Sequence, residues 1–413
     1  MSPLLEQFLR WLGQLTLIDF ILIFWPLIII DFLRSLIKAT VLLSHALYLR
    51  LFKRKTPVIP SFLPKVSIII PAHNEEKVIS RSIEAAIEAE YPNKEIVVVD
   101  DGSNDGTYRI ALQYAKKGKI KLLRRDAASG SKAGALNYGL MFATGDIIIT
   151  VDADTILERD AIKEAVKTLL EEGVSAVSGN VRVLSGEKGG INLLVKLQAY
   201  EYLLALELGR RFNSIIGTLL IISGAFGAFW RKYIESLGRY DLDTITEDFD
   251  VTVKMRKLNK KLVFSEKAVA WTFVPETLRD WIRQRIRWTR GQAETLWKHR
   301  NVLLKQKFNI RFVLAVYDMI FMDVILLFTR LAWLMYVIFF FHQNFIYIFI
   351  LITIIYLAIE LMMVTTAVLL SPRKQDLKNI YLAPIVAFIY RPFYSLVRFK
   401  AYFDWLLKRK SRW

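Results

Sequence analysis

Apolar runs close to both ends of the chain, separated by a long stretch of mixed character, limit the folds open to this sequence more than any other feature. Leu15 to Leu33 is nearly all apolar, interrupted only by Asp19 and Asp31, and suffices for one crossing of a hydrocarbon core about 30 Å thick. Arg34 to Leu51 is more mixed and is expected to extend this helix toward the headgroups, since two crossings need about 40 residues plus a turn. No small-residue cleavage site follows, so the segment reads as a retained anchor. Lys53, Arg54 and Lys55 then put that end in the cytoplasm. Near the other end, Met319–Phe341 and Phe345–Leu370 are expected to form two spans joined by a turn at Gln343, with the basic stretch Ser371–Lys378 cytoplasmic. Ile380–Val397 is apolar but broken by Arg391-Pro392, and a crossing there would leave Lys408-Arg409-Lys410 outside. It is therefore expected to be re-entrant or interfacial. Arg330 and Glu360 lie at comparable depths from the Gln343 turn. Ionisable groups in a span are costly, so the two are expected to pair across the hairpin.

Composition separates the function classes. Of 413 residues, 54% are hydrophobic while 23% are charged, which suits a membrane protein with a substantial soluble domain and excludes a disordered chain. Lys and Arg number 57 against 39 Asp and Glu, a net charge of +18. That charge fits a nucleic-acid binder, a surface facing anionic lipid, or a phosphorylated substrate. The basic residues flank the spans instead of forming an aromatic-interleaved stripe, so nucleic acid is not an expected partner. The chain has no cysteine, which removes disulfides, thiolate metal sites and cysteine nucleophiles.

From Pro64 to Lys305 the pattern is that of a globular domain. Val66–Ile70, Glu95–Val99 and Ile147–Val151 are short continuous apolar runs, as in strands buried on both faces of a parallel sheet. Helix-periodic stretches Glu75–Ala89, Thr107–Ala115 and Arg159–Glu172 alternate with them, predicting an α/β fold. A pure transporter is disfavoured because about half the chain is this domain, which carries carboxylates at its strand ends.

Those strand ends hold the chemistry. Asp100 and Asp101 stand where a buried strand meets a glycine turn, where ligands bind in open α/β sheets. They suit hydrogen bonds to a base or ribose, but Asp101 or Ser103 reads equally as a cap for a helix near Asn104. Asp152-Ala153-Asp154 ends the next strand in the same way. Two hard oxygens there suit Mg²⁺ or Mn²⁺ on a diphosphate, against the reading of Asp154 or Thr155 as a helix cap. Thr246-Glu247-Asp248 precedes the helical stretch Val251–Leu258; Asp248 is either a general base for an attacking alcohol or a cap. Gln284, Arg287 and Trp288 share a face of a helix predicted over Thr277–His299. An indole can stack on a pyranose, and the polar pair can hold hydroxyls or phosphate. The same helix reads as amphipathic, with Arg279, Arg283, Arg285 and Arg290 meeting lipid headgroups.

Taken together, PAHNEE at Pro71–Glu76, VVVDDGSNDGT at Val97–Thr107, SKAGALN at Ser131–Asn137, DAD, SGA at Ser223–Ala225, TED and QRIRW resemble, in order and context, the processive membrane-bound family 2 glycosyltransferases. These include cellulose, chitin, hyaluronan and poly-N-acetylglucosamine synthases. The last type looks most similar, through Ser178-Gly179-Asn180 to Val274-Pro275-Glu276-Thr277. The resemblance is strong from Pro64 to Trp297. No FxVTP-type gating loop is present, so the sequence departs from bacterial cellulose synthase.

The resemblance implies a GT-A-like, Rossmann-type α/β domain over 64–276, flanked by an anchor (1–55), an interfacial helix region (277–310) and C-terminal spans with a basic tail (311–413). It implies that Asp101 binds the uracil or ribose of a UDP-sugar, with Pro71, Ala72 and Glu75 beside it and Lys132 near the phosphates. Asp152 and Asp154 would hold Mg²⁺ or Mn²⁺, and Asp248 would be the base. Glu247, Ser223, Gly224, Gln284, Arg287 and Trp288 would frame the acceptor and departing diphosphate. The expected reaction is inverting transfer, from the cytoplasmic side of a multi-pass membrane protein, onto a β-linked polysaccharide. A lipid acceptor is the alternative, and accessory subunits are left open.

Overall fold

The computed structural model describes residues 3–52, 63–171, 173–186, 188–303 and 308–407. The basic triplets 53–55 and 408–410, on which the sequence-based orientation rests, lie outside them. The described chain divides into two compact units: Met1–Arg54 with Asp318–Phe399, and Lys55–Tyr317 with Lys400–Trp413.

In the larger unit the apolar runs become strands because their β-branched side chains can be buried on both faces of a pleated ribbon. The strands are β1 (Val66–Ala72), β2 (Lys94–Asp101), β3 (Lys121–Arg125), β4 (Ile147–Val151), β5 (Thr155–Leu157), β6 (Val174–Gly186), β7 (Phe226–Trp230) and β8 (Lys261–Val274). They form one sheet in the order β3-β2-β1-β4-β7-β6-β8-β5. Alternation divides β1 between two cores. Ile68 and Ile70 pack with Ile79, Ile83 and Val98 on one face, while Ile69 packs with Val97, Leu136, Leu140 and Val251 on the other. Each such buried side chain contributes about 1.5–3 kcal/mol.

The sheet is mixed, not wholly parallel. β1 runs parallel to β2 and β4, and β2 to β3, but β7 is antiparallel to both β4 and β6, and β5 to β8. The expected helices appear as Ile79–Glu88, Thr107–Lys116 and Ala161–Leu169.

In the smaller unit Leu17–Phe52 is one helical run, carried through a π-helical turn at Pro26–Phe32. Pro26 lacks the N–H that a regular turn would use. Asp19 is a capping residue, accepting from the backbone N–H and the hydroxyl of Thr16. Among the described residues, three helices are long and apolar enough to cross a membrane: Ile310–Phe340, His342–Leu370 and Gln375–Leu406. The first two meet at His342–Asn344, matching the predicted turn. Arg391-Pro392 does not break the third, because a π turn at Val386–Tyr390 absorbs the proline.

The expected Arg330–Glu360 pair does not form. Arg330 pairs with Asp31, which also accepts from the Tyr356 hydroxyl at 3.3 Å. Glu360 takes Arg391, with Nε–Oε2 at 2.8 Å and a second bond at 3.0 Å. Equal depth in a two-helix hairpin says nothing of the neighbouring helices, and each of these ions found its partner on one of them.

Candidate active site

The strand-end carboxylates converge. β4 stops at Val151, and the next backbone N–H, that of Asp152, donates to Ala225 O in the loop before β7 at 3.4 Å. That contact sets Asp152-Ala153-Asp154 against Ser223-Gly224-Ala225. The helix of SKAGALN, Lys132–Phe142, starts at an N-cap Ser131 whose side chain accepts from Gly134 N–H. It delivers Lys132 as its first residue, ion-paired with Asp152 and 3.3 Å from Glu247 Oε1. Glu247 and Asp248 open the helix Glu247–Lys257. Asp248 Oδ2 accepts from Gly224 N–H at 3.0 Å, and its Oδ1 from Phe249 N–H at 2.8 Å. A Cβ on Gly224 would stand 2.7 Å from Lys132 Nζ and 3.3 Å from Asp248 Oδ2. Lys132, Asp152, Glu247, Asp248 and Gly224 therefore share one site, with Ser223 at its edge.

Its electrostatics follow from crowding. Burial, then Asp152, pushes the Asp154 carboxyl up to about 7, although the Thr155 hydroxyl and Lys132 act against the rise. Burial also raises Glu247, opposed chiefly by Lys132. Lys132 loses by burial but is raised overall by Asp152 and Glu247. One ammonium thus serves several carboxylates, and a further cation would ease the imbalance. The donor set at Asp152 and Asp154 is of hard oxygens only. Among the described residues no group of three or more His, Cys, Asp or Glu side chains could by itself hold a metal ion. Such a site suits Mg²⁺ or Mn²⁺ completed by phosphate oxygens and water, not an all-protein cage.

Asp248 keeps its capping reading, since its Oδ1 accepts from Phe249 N–H in the first turn of Glu247–Lys257, but the other capping readings are not met. The helix after Asp154 begins only at Ala161, and the helix after Asp101 begins at Thr107, whose N–H is taken by Asp105. Thr246 makes no side-chain cap bond. Asp101, 5% exposed, is held by Arg125 at 3.0 Å and by Ser129, which donates N–H and hydroxyl at 3.0 and 2.6 Å. Ser129 also donates to Ser131 O, so Asp101 fixes the loop that leads into Lys132. Gly102, at φ 69°, could not carry a Cβ without a 2.5 Å approach to Ala128 N. Gly102→Ala is expected to cost about 1–3 kcal/mol of local stability, read as a lower Tm in thermal unfolding. Pro71 and Ala72 end β1 opposite Val99 and Asp100 of β2, and Glu75 N–H donates to Thr107 Oγ1 at 2.7 Å.

The QRIRW helix is Leu278–Lys298, capped by Thr277, which accepts from Asp280 N–H. Gly291 lies against Thr246, where a Cβ would meet Thr246 Oγ1 at 2.9 Å, and Thr295 Oγ1 is 3.2 Å from Thr246 Oγ1. The helix therefore buttresses the start of the Glu247–Asp248 turn. The structure corrects its expected lipid face. Arg279 and Arg283 are exposed, but Arg285 and Arg290 are buried. Arg285 lies between Trp281 and Trp288, 5.5 and 4.4 Å from the ring centres, and donates to Glu201 and Gln284 at 2.7 and 2.9 Å. A planar guanidinium can be buried when it is stacked and its terminal nitrogens are hydrogen-bonded. Gln284 and Trp288 are thus half-buried around Arg285, and Arg287 is exposed. Among the described residues no hydrogen bond or ion pair joins any of the three to the carboxylate cluster.

Three neighbours escape a motif-based reading. Arg210, which donates to Ser178 Oγ at 3.1 Å, feels the charge of Asp248. It ends the π turn Leu204–Arg210, and no sequence signal announces such a turn. Tyr202, which burial raises to about 12, lies within the fields of Arg285, Glu201 and Asp154. Tyr240 is buried, with its hydroxyl unpartnered among the described residues, within the fields of Glu247, Lys132 and Asp248.

Comparisons with known proteins agree with this arrangement. The chain is 31% identical over 232 residues to a poly-β-1,6-N-acetyl-D-glucosamine synthase of Staphylococcus epidermidis, covering 56% of this chain and 55% of that protein. It is 33% identical over 263 residues to "Probable glycosyltransferase YdaM" of Bacillus subtilis, covering 62% and 61%. The chain thus spans little more than half the length of the curated relatives it matches. A solved mannosyltransferase from Pyrobaculum calidifontis, in complex with GDP-Man and Mn²⁺, superposes with TM-score 0.60 at 21% identity, covering 93% of this chain and 99% of that one. That likeness shows a shared GT-A-like fold. Residues 67–238, from β1 through β7 to the end of the following short helix, match the family described as Glycosyl transferase family 2.

Proposed function

We propose that the protein transfers a sugar from a nucleotide-sugar donor, of the UDP-N-acetylglucosamine or UDP-glucose class, to a growing β-linked polysaccharide, with inversion and processively. The observation that carries this reading is the convergence of Lys132, Asp152, Glu247 and Asp248 on Gly224. The names of the staphylococcal relatives support the polymer acceptor. The apolar helices support a multi-pass cell-membrane protein, with the catalytic domain cytoplasmic, where nucleotide sugars are made.

Asp101 orients the uracil or ribose beside Pro71, Ala72 and Glu75, and Lys132 faces the phosphates. Asp152 and Asp154 are the residues that would hold Mg²⁺ or Mn²⁺, whose chemistry when bound is Lewis-acid neutralisation of the diphosphate. Asp248 takes the proton of the acceptor hydroxyl as its oxygen bonds to the anomeric carbon. The bond from that carbon to the diphosphate oxygen breaks, and the leaving group keeps the electron pair. Arg287 and Gln284 meet the departing charge, and Trp288 offers a ring face to the acceptor sugar. A single displacement turns an α-linked donor into a β-linked product.

The test is purified full-length chain with radiolabelled UDP-sugars and Mn²⁺ or Mg²⁺, followed by sizing and linkage-specific hydrolases. Expected is a long β-linked product from one donor. A single sugar on lipid would replace the polymer acceptor by a lipid one. Chelation with EDTA is expected to abolish transfer, and added Mn²⁺ or Mg²⁺ to restore it; transfer that persists in EDTA would remove the metal from Asp152 and Asp154.

A further inference from the structure

The helix that carries Asp248 is fastened along one face. Asp250, Lys254 and Lys257 of Glu247–Lys257 are spaced i, i+4 and i+7 and so lie on the same side. Each reaches a group outside the helix. Asp250 Oδ1 meets His299 Nε2 at 2.8 Å and Lys298 Nζ at 3.1 Å. Lys254 Nζ donates to Asp241 Oδ1 at 2.7 Å, and Lys257 Nζ meets His299 Nδ1 at 2.6 Å and Asn301 Oδ1 at 3.1 Å. Lys298 Nζ closes this set of contacts by donating to Asp241 Oδ2 at 2.7 Å and Asp243 Oδ1 at 2.6 Å. Burial would raise the Asp241 carboxyl, but Lys254 and Lys298 hold it down to about 2.

The neighbours of His299 fix its state. An ammonium only donates, so Nδ1, which faces Lys257, carries the lone pair, and Nε2 carries the hydrogen that goes to Asp250. The neutral ring joins two elements, since its own backbone N–H donates to Thr295 O at 3.0 Å and closes the QRIRW helix Leu278–Lys298. Asp250 is fully buried, and its Oδ2 has no hydrogen-bond partner among the described residues. An apolar side chain would fill that place without the cost of burying a charge. What the carboxylate adds is direction, because it sets the rotation of its helical turn against the QRIRW helix. In the same turn Asp248 has its oxygens held by the N–H groups of Gly224 and Phe249 at 3.0 and 2.8 Å. A rotation of that turn moves the Asp248 carboxylate relative to Gly224.

We propose that Asp250, gripped by His299 and Lys298, is a positioning residue for sugar transfer, holding Asp248 in place relative to the helix that bears Gln284 and Trp288. Trp288 stands ten residues, roughly 15 Å, before Lys298 on that helix. The grip is therefore remote from the reacting atoms and acts through Asp248. This rests on Asp248 being the base, and the experiment separates the two ideas.

Initial rates, KM for the UDP-sugar and calorimetric UDP binding are measured on the purified full-length chain for His299→Gln, His299→Phe and Asp250→Asn, each alone and combined with Asp248→Asn. Gln places an amide N–H where Nε2–H stood, whereas Phe fills the space and donates nothing. Expected for His299→Phe is a fall in kcat of about 10²-fold, the cost of misplacing a catalytic group by about 1 Å. KM and UDP binding stay near those of the unaltered chain, and His299→Gln recovers most of kcat. Combined with Asp248→Asn, neither substitution lowers the residual rate further, because residues that act as one unit are not additive. Normal kcat in His299→Phe, or an equal loss with and without Asp248→Asn, overturns the positioning while the base reading stands. Near-normal turnover in Asp248→Asn itself overturns the base reading, and the positioning with it. Should His299→Phe not fold, Asp250→Asn carries the test, since it keeps the shape and gives up the charge facing Lys298. A kcat loss of about tenfold, silent in the Asp248→Asn background, is then expected, and an unchanged kcat overturns the proposal.

Discussion

Asp248→Asn is expected to lower turnover by about 10²–10⁴-fold, the usual worth of a positioned general base, while UDP binding changes little. The substitution is nearly isosteric. The amide oxygen can keep the Gly224 N–H contact now made at 3.0 Å, so the loop before β7 stays in place. What disappears is the bond from Phe249 N–H at 2.8 Å, which the amide NH₂ cannot accept, and the capacity to take a proton from the acceptor hydroxyl. Asp101, Lys132 and Asp152, assigned here to the donor, are untouched. The check pairs initial rates of sugar transfer with calorimetric UDP binding on the same preparation. Near-normal turnover removes Asp248 from proton transfer, and loss of UDP binding would reassign it to holding the donor.

Glu207→Leu is expected to be the most destabilising single change in the catalytic unit, costing about 3–5 kcal/mol by leaving buried charges without their counterion. Glu207 is fully buried, pairs with Arg182 at 2.5 Å and Arg211 at 3.2 Å, and accepts from Asn180 Nδ2 at 3.0 Å. Burial raises its carboxyl, and the two guanidinium groups act against that rise. Removing the carboxylate takes from Arg182, 6% exposed, the counter-charge of Glu207 and leaves it the neutral Asn180 Oδ1 at 3.2 Å. In a domain of this size the cost corresponds to a Tm fall of roughly 6–20 °C, measurable by thermal unfolding of the detergent-solubilised chain. Adding Arg182→Met is expected to recover part of the loss, since a well-packed apolar replacement of a buried pair is often neutral. An unchanged Tm would show that the network carries no net stability. Glu207 and Arg210 share the π turn Leu204–Arg210, so the network also holds the guanidinium that faces Asp248.

The two kinds of result differ in what the chain had to say about them. β1, β2 and β4 were legible because continuous β-branched runs can be buried only one way, on both faces of a sheet. Asp101, Asp152 and Asp154 were legible because they stand where those strands end. Gln284 and Trp288 were legible as a pair, but not their engagement with Arg285, because helical periodicity gives a shared face and not what that face meets. The antiparallel insertion of β7 between β4 and β6 was hidden, since Phe226–Trp230 is too short to declare its direction.

The sequence by itself determined an α/β domain between apolar helices, the order of the acidic sites along the chain and the chemistry those sites suit, because local apolar period and residue type are properties of neighbours in the chain. Only the tertiary structure decided that Lys132 bridges Asp152 and Glu247, that Arg285 is buried between Trp281 and Trp288, and that Arg330 answers Asp31 while Glu360 answers Arg391. Those are choices of partner across large sequence separations. A buried charge takes whichever counterion the packing of whole elements brings within a few ångströms, and no local pattern encodes that.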